Sequence, residues 1–271
     1  MKGVLIIKES NFQIYCANNL FQAGVIENVV VENGRSFPPP NLSMRTLLAA
    51  PIRIIEQFFK SKNAGLRQIK YYFNYSSMFG NVKIHNENIL QNKYQKFDQK
   101  LKVLRVKRAD SLNSMSLIQA ISPDIIFVFG TGLLSQSFIE AFKVPKINMH
   151  WGWSPTYRGD GIFPALAMEG SKGLGVTTHK LTEKVDAGEI ISRHRIKVAS
   201  HENIYSIGLR CTKVGTEAFI RLFEQYNNTS NIPCTKQQLE DGQNYTSKYL
   251  REHSELIEQG WLNLRRETST L

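Results

Sequence analysis

Short apolar runs alternate with segments of helical length along most of this chain, and that alternation restricts the fold more than any other feature. The runs 4–7 and 25–31 flank a segment, 11–23, that has room for a helix. The same order returns as strands over 101–106, 125–129 and 146–149, with helices over 111–121 and 135–142 between them. Strands that alternate with helices favour a mostly parallel sheet covered on both faces. The sequence therefore predicts an α/β fold.

The rest of the chain extends this pattern toward the C-terminus. Residues 173–181 and 189–198 are predicted to be extended. Apolar side chains recur at helical spacing over 203–224, which predicts an amphipathic helix. We expect residues 242–261 to form an irregular tail with a short helix.

Residues 35–99 differ in character from the segments on either side. They begin with Pro38-Pro39-Pro40, continue through a helix-like apolar stretch at 47–59, and then become rich in Asn, Gln, Tyr and Lys. We interpret this segment as a partly helical insertion on an otherwise regular sheet.

The charge of the chain is concentrated in one stretch. The chain has 34 Lys and Arg against 23 Asp and Glu, a formal charge of +11. Between residues 60 and 108 there are twelve basic and two acidic side chains, so this stretch carries nearly all of the surplus. A Lys-rich stretch is typical of a solvated face, but it could also attract a phosphorylated substrate. The aromatic rings among these lysines could equally serve an RNA.

The cysteines and the lengths of the apolar segments indicate the cellular compartment. Cys16, Cys211 and Cys234 are far apart and form no zinc-binding pattern, which favours a reducing cytoplasm and no metal. The first apolar run is too short for a signal peptide. No stretch reaches the roughly 20 apolar residues that spanning a membrane requires. We expect a cytoplasmic protein without membrane insertion.

Reactive side chains follow the strand predicted at 146–149. Asn148 and His150 are two residues apart and therefore project from the same face of that strand. Asp186 lies in a later turn that contains glycine. An amide, an imidazole and a carboxylate at one crevice suit acyl transfer, because they supply an oxyanion donor, a proton carrier and a group that orients the imidazole. We interpret the other histidines, His85, His179, His194, His201 and His253, as structural or solvated.

Three motifs occur in a fixed order around these residues. They are Asn148-Met149-His150 with Pro155-x-Tyr157-Arg158-Gly159, then Gly175-Val176-Thr177-Thr178-His179, and then Asp186-Ala187-Gly188-Glu189-Ile190. Together they resemble the folate-dependent formyltransferases, a family that includes glycinamide ribonucleotide, methionyl-tRNA and sugar N-formyltransferases. The resemblance covers residues 100–200 well and the first strand weakly.

The resemblance implies a Rossmann-like formyltransferase fold with 10-formyltetrahydrofolate as the formyl donor. A catalytic domain would span 1–225, including the insertion, and a tail over 226–271 would pack on the core or extend it. The catalytic set would be Asn148, His150 and Asp186. The donor would be bound by Phe129, Gly130, Thr131, Gly132, Leu133, Lys184 and Val185.

The sequence departs from the family pattern after the histidine. Where the family has His-Pro-Ser-Leu-Leu-Pro, this chain has His150-Trp151-Gly152-Trp153-Ser154-Pro155. The two tryptophan rings could be core, or they could stack on a sugar or a base. Tyr157 and Arg158 suit a loop lock, with Arg158 as an anion contact. The predicted substrate contacts are therefore Trp151, Trp153, Tyr157 and Arg158.

The resemblance favours a nucleotide-linked amino sugar as the acceptor, because such a substrate accommodates the insertion, the basic surplus and the short segment after Asp186. A tRNA is disfavoured by that short segment, and no other nucleic acid is expected. The alternatives are a formyltetrahydrofolate hydrolase, transfer to another small amine or to methionyl-tRNA, and a non-catalytic binder of RNA or acidic surfaces. Relatives that modify sugars are often dimers, and the apolar face at 47–59 could serve a homodimer.

Overall fold

The protein is described by a computed structural model over residues 1–33, 96–199 and 202–269. Residues 35–95 of the predicted insertion, with its apolar face and the basic side chains before residue 96, lie outside this part of the chain. The strands are β1 (Gly3–Lys8), β2 (Ile26–Glu32), β3 (Lys102–Val106), β4 (Ile125–Phe129), β5 (Lys146–His150), β6 (Tyr157–Gly159), β7 (Gly175–Lys180), β8 (Ile190–Arg195) and β9 (Gln243–Tyr245). The helices are α1 (Asn11–Gln22), α2 (Leu112–Ile121), α3 (Gln136–Ala141), α4 (Ile162–Glu169), α5 (Ile204–Thr229), α6 (Ser247–Glu252) and α7 (Ser254–Ser269).

Seven of these strands form one sheet in the order β3-β2-β1-β4-β5-β7-β8. The first five are mutually parallel, β7 runs antiparallel to β5, and β8 runs antiparallel to β7. The prediction of a mostly parallel sheet is confirmed. The pairing of β5 with β7 places Asn148 opposite His179 and His150 opposite Thr177. This pairing brings the side chains of Asn148 and His179 together across the sheet.

Each face of the sheet has its own hydrophobic core, because side chains alternate along the strands. Leu5 and Ile7 of β1 pack with side chains of α1 and α5 on one face. Val4 and Ile6 pack with side chains of α2 and α3 on the other face. Within the described residues, none of the helices is long and apolar enough to cross a membrane.

Helix α5 lies directly behind the strand that ends in His150. Gly215 of this helix faces Met149, and a side chain at Gly215 would overlap the Met149 side chain. The glycine therefore permits a close approach that a larger residue would prevent, although a helical glycine costs about 1 kcal/mol relative to alanine. The helix supports the strand between Asn148 and His150.

The C-terminal segment is more regular than we predicted. The irregular tail with a short helix is a wrong prediction, because β9, α6 and α7 account for most of residues 243–269. Strand β9 pairs with β6, and α7 buries Ile257 and Leu264 in the larger core. Many charged residues lie between the apolar residues of α7, and for this reason we did not predict the helix from the sequence.

Candidate active site

The carboxyl ends of the parallel strands open onto a cavity of about 720 Å³. Asn148 and His150 line it from β5, and Asp186 lines it from the connection between β7 and β8. The structure thus brings together the three side chains that we predicted to be catalytic. Their role in catalysis stays a prediction.

The Asp186 carboxylate is the centre of the contacts in this group. Its Oδ2 atom accepts a hydrogen bond from the backbone N–H of Gly159 at 2.9 Å and lies 3.2 Å from His150 Nδ1. Its Oδ1 atom accepts a hydrogen bond from Asn148 Nδ2 at 3.1 Å and lies 3.2 Å from His179 Nε2. Both carboxylate oxygens are therefore engaged, and the carboxylate fixes the positions of the amide and both imidazoles.

The turn that carries Asp186 is held in an unusual conformation. Asp186 has a φ of +46°, in the left-handed region that disfavours non-glycine residues. The side chain of Gln237 holds the backbone of this turn, since its Nε2 atom donates to the carbonyl oxygens of Asp186 at 3.0 Å and of Gly188 at 2.5 Å. Gly188 has no room for a side chain, because a Cβ would overlap the carbonyl of Lys180. The backbone of the turn is thus set by its neighbours.

The ring of His150 lies between two hydrogen-bond acceptors. Nδ1 faces the Asp186 carboxylate, and Nε2 lies 2.7 Å from the carbonyl oxygen of Tyr157. Neither partner can donate, so each of these contacts is a hydrogen bond only when the ring nitrogen that faces it carries a proton. A side chain at Gly152 would overlap the ring of His150, so glycine is required there. This explains the glycine in the stretch where the sequence departs from the family pattern.

The pKa of Asp186 reflects these contacts. Burial on its own raises the pKa of this carboxyl, but the charge of His150 and the contacts with His179 and Gly159 outweigh burial. The net effect holds the pKa of Asp186 well below its ordinary value. The carboxylate is therefore charged at neutral pH and can stabilise an imidazolium beside it.

His179 belongs to this site, and our interpretation of it as structural or solvated missed this. Its Nδ1 atom lies 2.8 Å from the carbonyl oxygen of Lys180, and its Nε2 atom lies close to both Asp186 and Asn148. The antiparallel pairing of β7 with β5 creates this proximity. The available signal was the position of His179 in a family motif.

The residues predicted to bind the donor all line the cavity. They come from the loop after β4 and from the segment before Asp186, and they are Phe129, Gly130, Thr131, Gly132, Leu133, Lys184 and Val185. Gly130 has a φ of +67°, which glycine adopts readily. The loop is anchored by the buried Glu32, whose carboxylate accepts hydrogen bonds from the N–H groups of Ala109 and Gly132. That the seven predicted residues contact a formyl donor stays a prediction.

The four residues predicted to contact substrate are divided by the structure. Trp151 lines the cavity, whereas Trp153, Tyr157 and Arg158 are not part of its wall. The ring of Trp153 lies under the guanidinium groups of Arg193 and Arg195, at 4.7 and 3.7 Å from the ring centroid. The Tyr157 hydroxyl donates to Glu169 at 2.6 Å. As substrate contacts, these residues stay predictions.

One wall of the cavity comes from parts of the chain that the sequence did not suggest. Asp160 contributes to it just after β6, and the C-terminal segment adds Asn244, Tyr245, Thr246, Ser247 and Leu250. The short pairing of β6 with β9 brings these two parts together. In the parts of the chain that the structure describes, no group of three His, Cys, Asp or Glu side chains could hold a metal.

These features define an α/β protein with a Rossmann-like sheet and a candidate acid–base site at its carboxyl edge. A family model described as formyl transferase matches residues 69–223, which is more than half of the chain. The chain belongs to the formyl transferase family.

Curated relatives match a shorter part of the chain. Methionyl-tRNA formyltransferase of Chlorobium luteolum is 32% identical over 120 residues, which cover 44% of this chain and 38% of the relative. The bifunctional polymyxin resistance protein ArnA of Wigglesworthia glossinidia brevipalpis is 30% identical over 116 residues, 42% of this chain and 18% of the relative. The chain therefore matches about two fifths or less of the length of these proteins.

Solved structures share the fold over more of the chain. A 4-N formyltransferase from Francisella tularensis superposes with a TM-score of 0.55 at 12% identity, covering 97% of this chain and 87% of that one. Phosphoribosylglycinamide formyltransferase from Bacillus halodurans gives a TM-score of 0.50 at 12% identity, covering 85% and 97%. These likenesses show the fold, and the predicted Rossmann-like formyltransferase fold is confirmed.

Proposed function

We propose that the chain is an N-formyltransferase that moves the formyl group of 10-formyltetrahydrofolate to the amino group of a nucleotide-linked amino sugar. The observation that carries the proposal is the Asp186 carboxylate, which joins Asn148, His150 and His179 at one cavity. The volume of about 720 Å³ falls within the range of small-molecule sites.

The reaction begins when the amine lone pair forms a bond to the formyl carbon. The electrons of the C=O double bond then move to oxygen, and this oxyanion needs hydrogen-bond donors. The amide of Asn148 is one donor, and the Nε2 proton of His150 is the other. That proton points to the carbonyl oxygen of Tyr157. The N–H bond is fixed in the plane of the ring, so the ring itself must tilt to direct this proton at the oxyanion, which is a stronger acceptor than a backbone carbonyl.

The intermediate collapses when the bond between the formyl carbon and the folate nitrogen breaks. The departing nitrogen takes a proton from His150, and the neutral imidazole then accepts the proton that the amine nitrogen loses. Asp186, which contacts Nδ1, stabilises the imidazolium before and after this exchange. Acid–base assistance of this kind contributes about 10² to 10⁴ in rate.

Transfer to a nitrogen is supported by the 4-N formyltransferase that shares the fold over nearly the whole chain. A sugar acceptor is supported by a likely sugar N-formyltransferase from Mycobacterium tuberculosis, which shares the fold over 92% of this chain with a TM-score of 0.53 at 15% identity. The second candidate is transfer to methionyl-tRNA, which the matching curated relatives favour. A homodimer, a cytoplasmic location and the exclusion of nucleic acid as substrate stay predictions.

The test supplies 10-formyltetrahydrofolate with nucleotide-linked amino sugars, with methionyl-tRNA, or with no acceptor, and follows tetrahydrofolate release and product mass. Product mass gain with an amino sugar supports the proposal. Release of tetrahydrofolate without an acceptor indicates a hydrolase. No release with any acceptor overturns the proposal that the protein is a formyltransferase. We expect His150→Ala to lower turnover about 10²- to 10⁴-fold with the fold intact. His253→Ala, a histidine outside the cavity wall, is the matched control.

A further inference from the structure

Asp160 is a second carboxylate on the cavity wall, one residue beyond the catalytic contacts. The N–H of the preceding Gly159 donates to Asp186, and the N–H of Asp160 itself donates to the carbonyl oxygen of Tyr245 at 2.8 Å. These two backbone hydrogen bonds fix where Asp160 lies relative to Asp186. Asp160 is exposed and lines the cavity.

Ser247, the first residue of α6, holds the Asp160 side chain in place. Its hydroxyl donates to Asp160 Oδ2 at 2.6 Å. The pairing of Gly159 with Tyr245 brings the start of α6 to this position. Among the residues that the structure describes, only the Oδ2 atom is engaged in this way, which leaves Oδ1 for a ligand in the cavity.

The charge of Asp160 is not matched by a cation at ion-pair distance among the residues that the structure describes. Asp186, by contrast, has an imidazole on each oxygen. Loss of water around the Asp160 carboxyl and the nearby charge of Asp186 raise its pKa, and they outweigh the hydrogen bond from Ser247 and the charges of His150 and Arg251, which act in the opposite direction. A carboxylate in this position would gain from a positively charged group in the cavity.

We propose that Asp160 binds the amino nitrogen of the acceptor, with Ser247 as the residue that positions it. The inference rests on the proposed function and names the part of the site that selects an amine. The Asp160 carboxylate accepts one N–H of the amine, which leaves the nitrogen lone pair free to attack the formyl carbon. When the C–N bond forms, the nitrogen becomes positively charged, and the carboxylate stabilises that charge until a proton leaves.

The test compares Asp160→Asn with the wild type. Asparagine can still accept the hydrogen bond from Ser247 but has no charge, so a purely structural role would be kept. We expect kcat/KM for the amine acceptor to fall about 10- to 100-fold, the range for a lost hydrogen bond to a charged group. KM for the folate donor is expected to stay unchanged. Asp241→Asn, an exposed aspartate outside the cavity wall, is the matched control.

Ser247→Ala provides a second variant. We expect kcat/KM for the amine acceptor to fall about two- to fivefold and KM for the folate donor to stay unchanged. The loss is smaller than in Asp160→Asn because the carboxylate keeps its charge and loses only its orientation. Wild-type kcat/KM for the acceptor in folded Asp160→Asn overturns the inference and leaves the proposed function standing. A wild-type enzyme that formylates no amine overturns both. An equal loss in the Asp241→Asn control would also overturn the assignment to Asp160.

Discussion

Gln237→Leu tests whether the turn that carries Asp186 is held by the hydrogen bonds of Gln237. The side chain is buried, and its Nε2 atom donates to two carbonyl oxygens of the turn. Leucine has nearly the same volume, so the change removes the donors without opening a large cavity. The perturbation therefore isolates the two hydrogen bonds.

The expected loss of stability follows from the groups left without partners. Each buried carbonyl that loses its donor costs about 1 to 3 kcal/mol. The Oε1 atom of Gln237 is buried and has no hydrogen-bond partner among the described residues, so its removal offsets part of this cost. We expect the free energy of unfolding to fall by about 2 to 4 kcal/mol. Since the turn also carries the left-handed Asp186, turnover should fall at least about tenfold.

Urea unfolding followed by linear extrapolation measures the first quantity, and steady-state kinetics measures the second. Gln238→Leu, at the exposed neighbouring position, is the control and should change neither. Gln237→Glu should be more harmful than Gln237→Leu, because it places a carboxylate oxygen against two carbonyl oxygens. A Gln237→Leu protein within about 0.5 kcal/mol of the wild type, with normal turnover, would refute the reasoning.

Two further predictions follow from the pKa values of buried groups. Because the folded-state pKa of Asp186 is lowered, its contribution to stability is complete above the unfolded-state pKa of about 3.9 and is lost as pH falls below it. Urea midpoints of wild type and Asp186→Asn should therefore converge between about pH 5 and pH 2, and a gap that widens in acid would contradict this. Burial raises the pKa of Cys16 and of Cys211 to about 12. Of the three thiols only Cys234 is partly exposed, so a thiol reagent at pH 8 should titrate one thiol in the native protein and three after unfolding; three in the native state would be the opposite result.

The sheet could be predicted because its elements have local signatures. The strand over Ile125–Phe129, for example, is a continuous apolar run. Asn148 and His150 could be placed on one face from the alternation of a strand alone. The proximity of Asp186 to His150 has no local signature, because the two residues lie on segments that are far apart in the sequence. The order of the motifs was the strongest sign that they belong to one site.

The remaining parts of the site depend on pairings that leave no local pattern. Strands β6 and β9 have three residues each, too few to show alternation, yet they bring Asp160 beside Ser247. His179 was missed because a single histidine in a strand carries no periodic signal. Trp153 was expected at the substrate, but two arginines on β8 cover its ring, and that stacking depends on tertiary structure.

The two walls of the cavity differ in how freely they can change. The catalytic wall is locked by Gly152, Gly188 and Gly215, where an added side chain would overlap a neighbour. The opposite wall is supplied by residues 244–250 through one pair of three-residue strands. Under the proposed function, substitutions in that short segment would alter which amine fits while Asn148, His150 and Asp186 stay in place. A designer seeking a new acceptor would therefore begin at residues 244–250 rather than at the motif around His150.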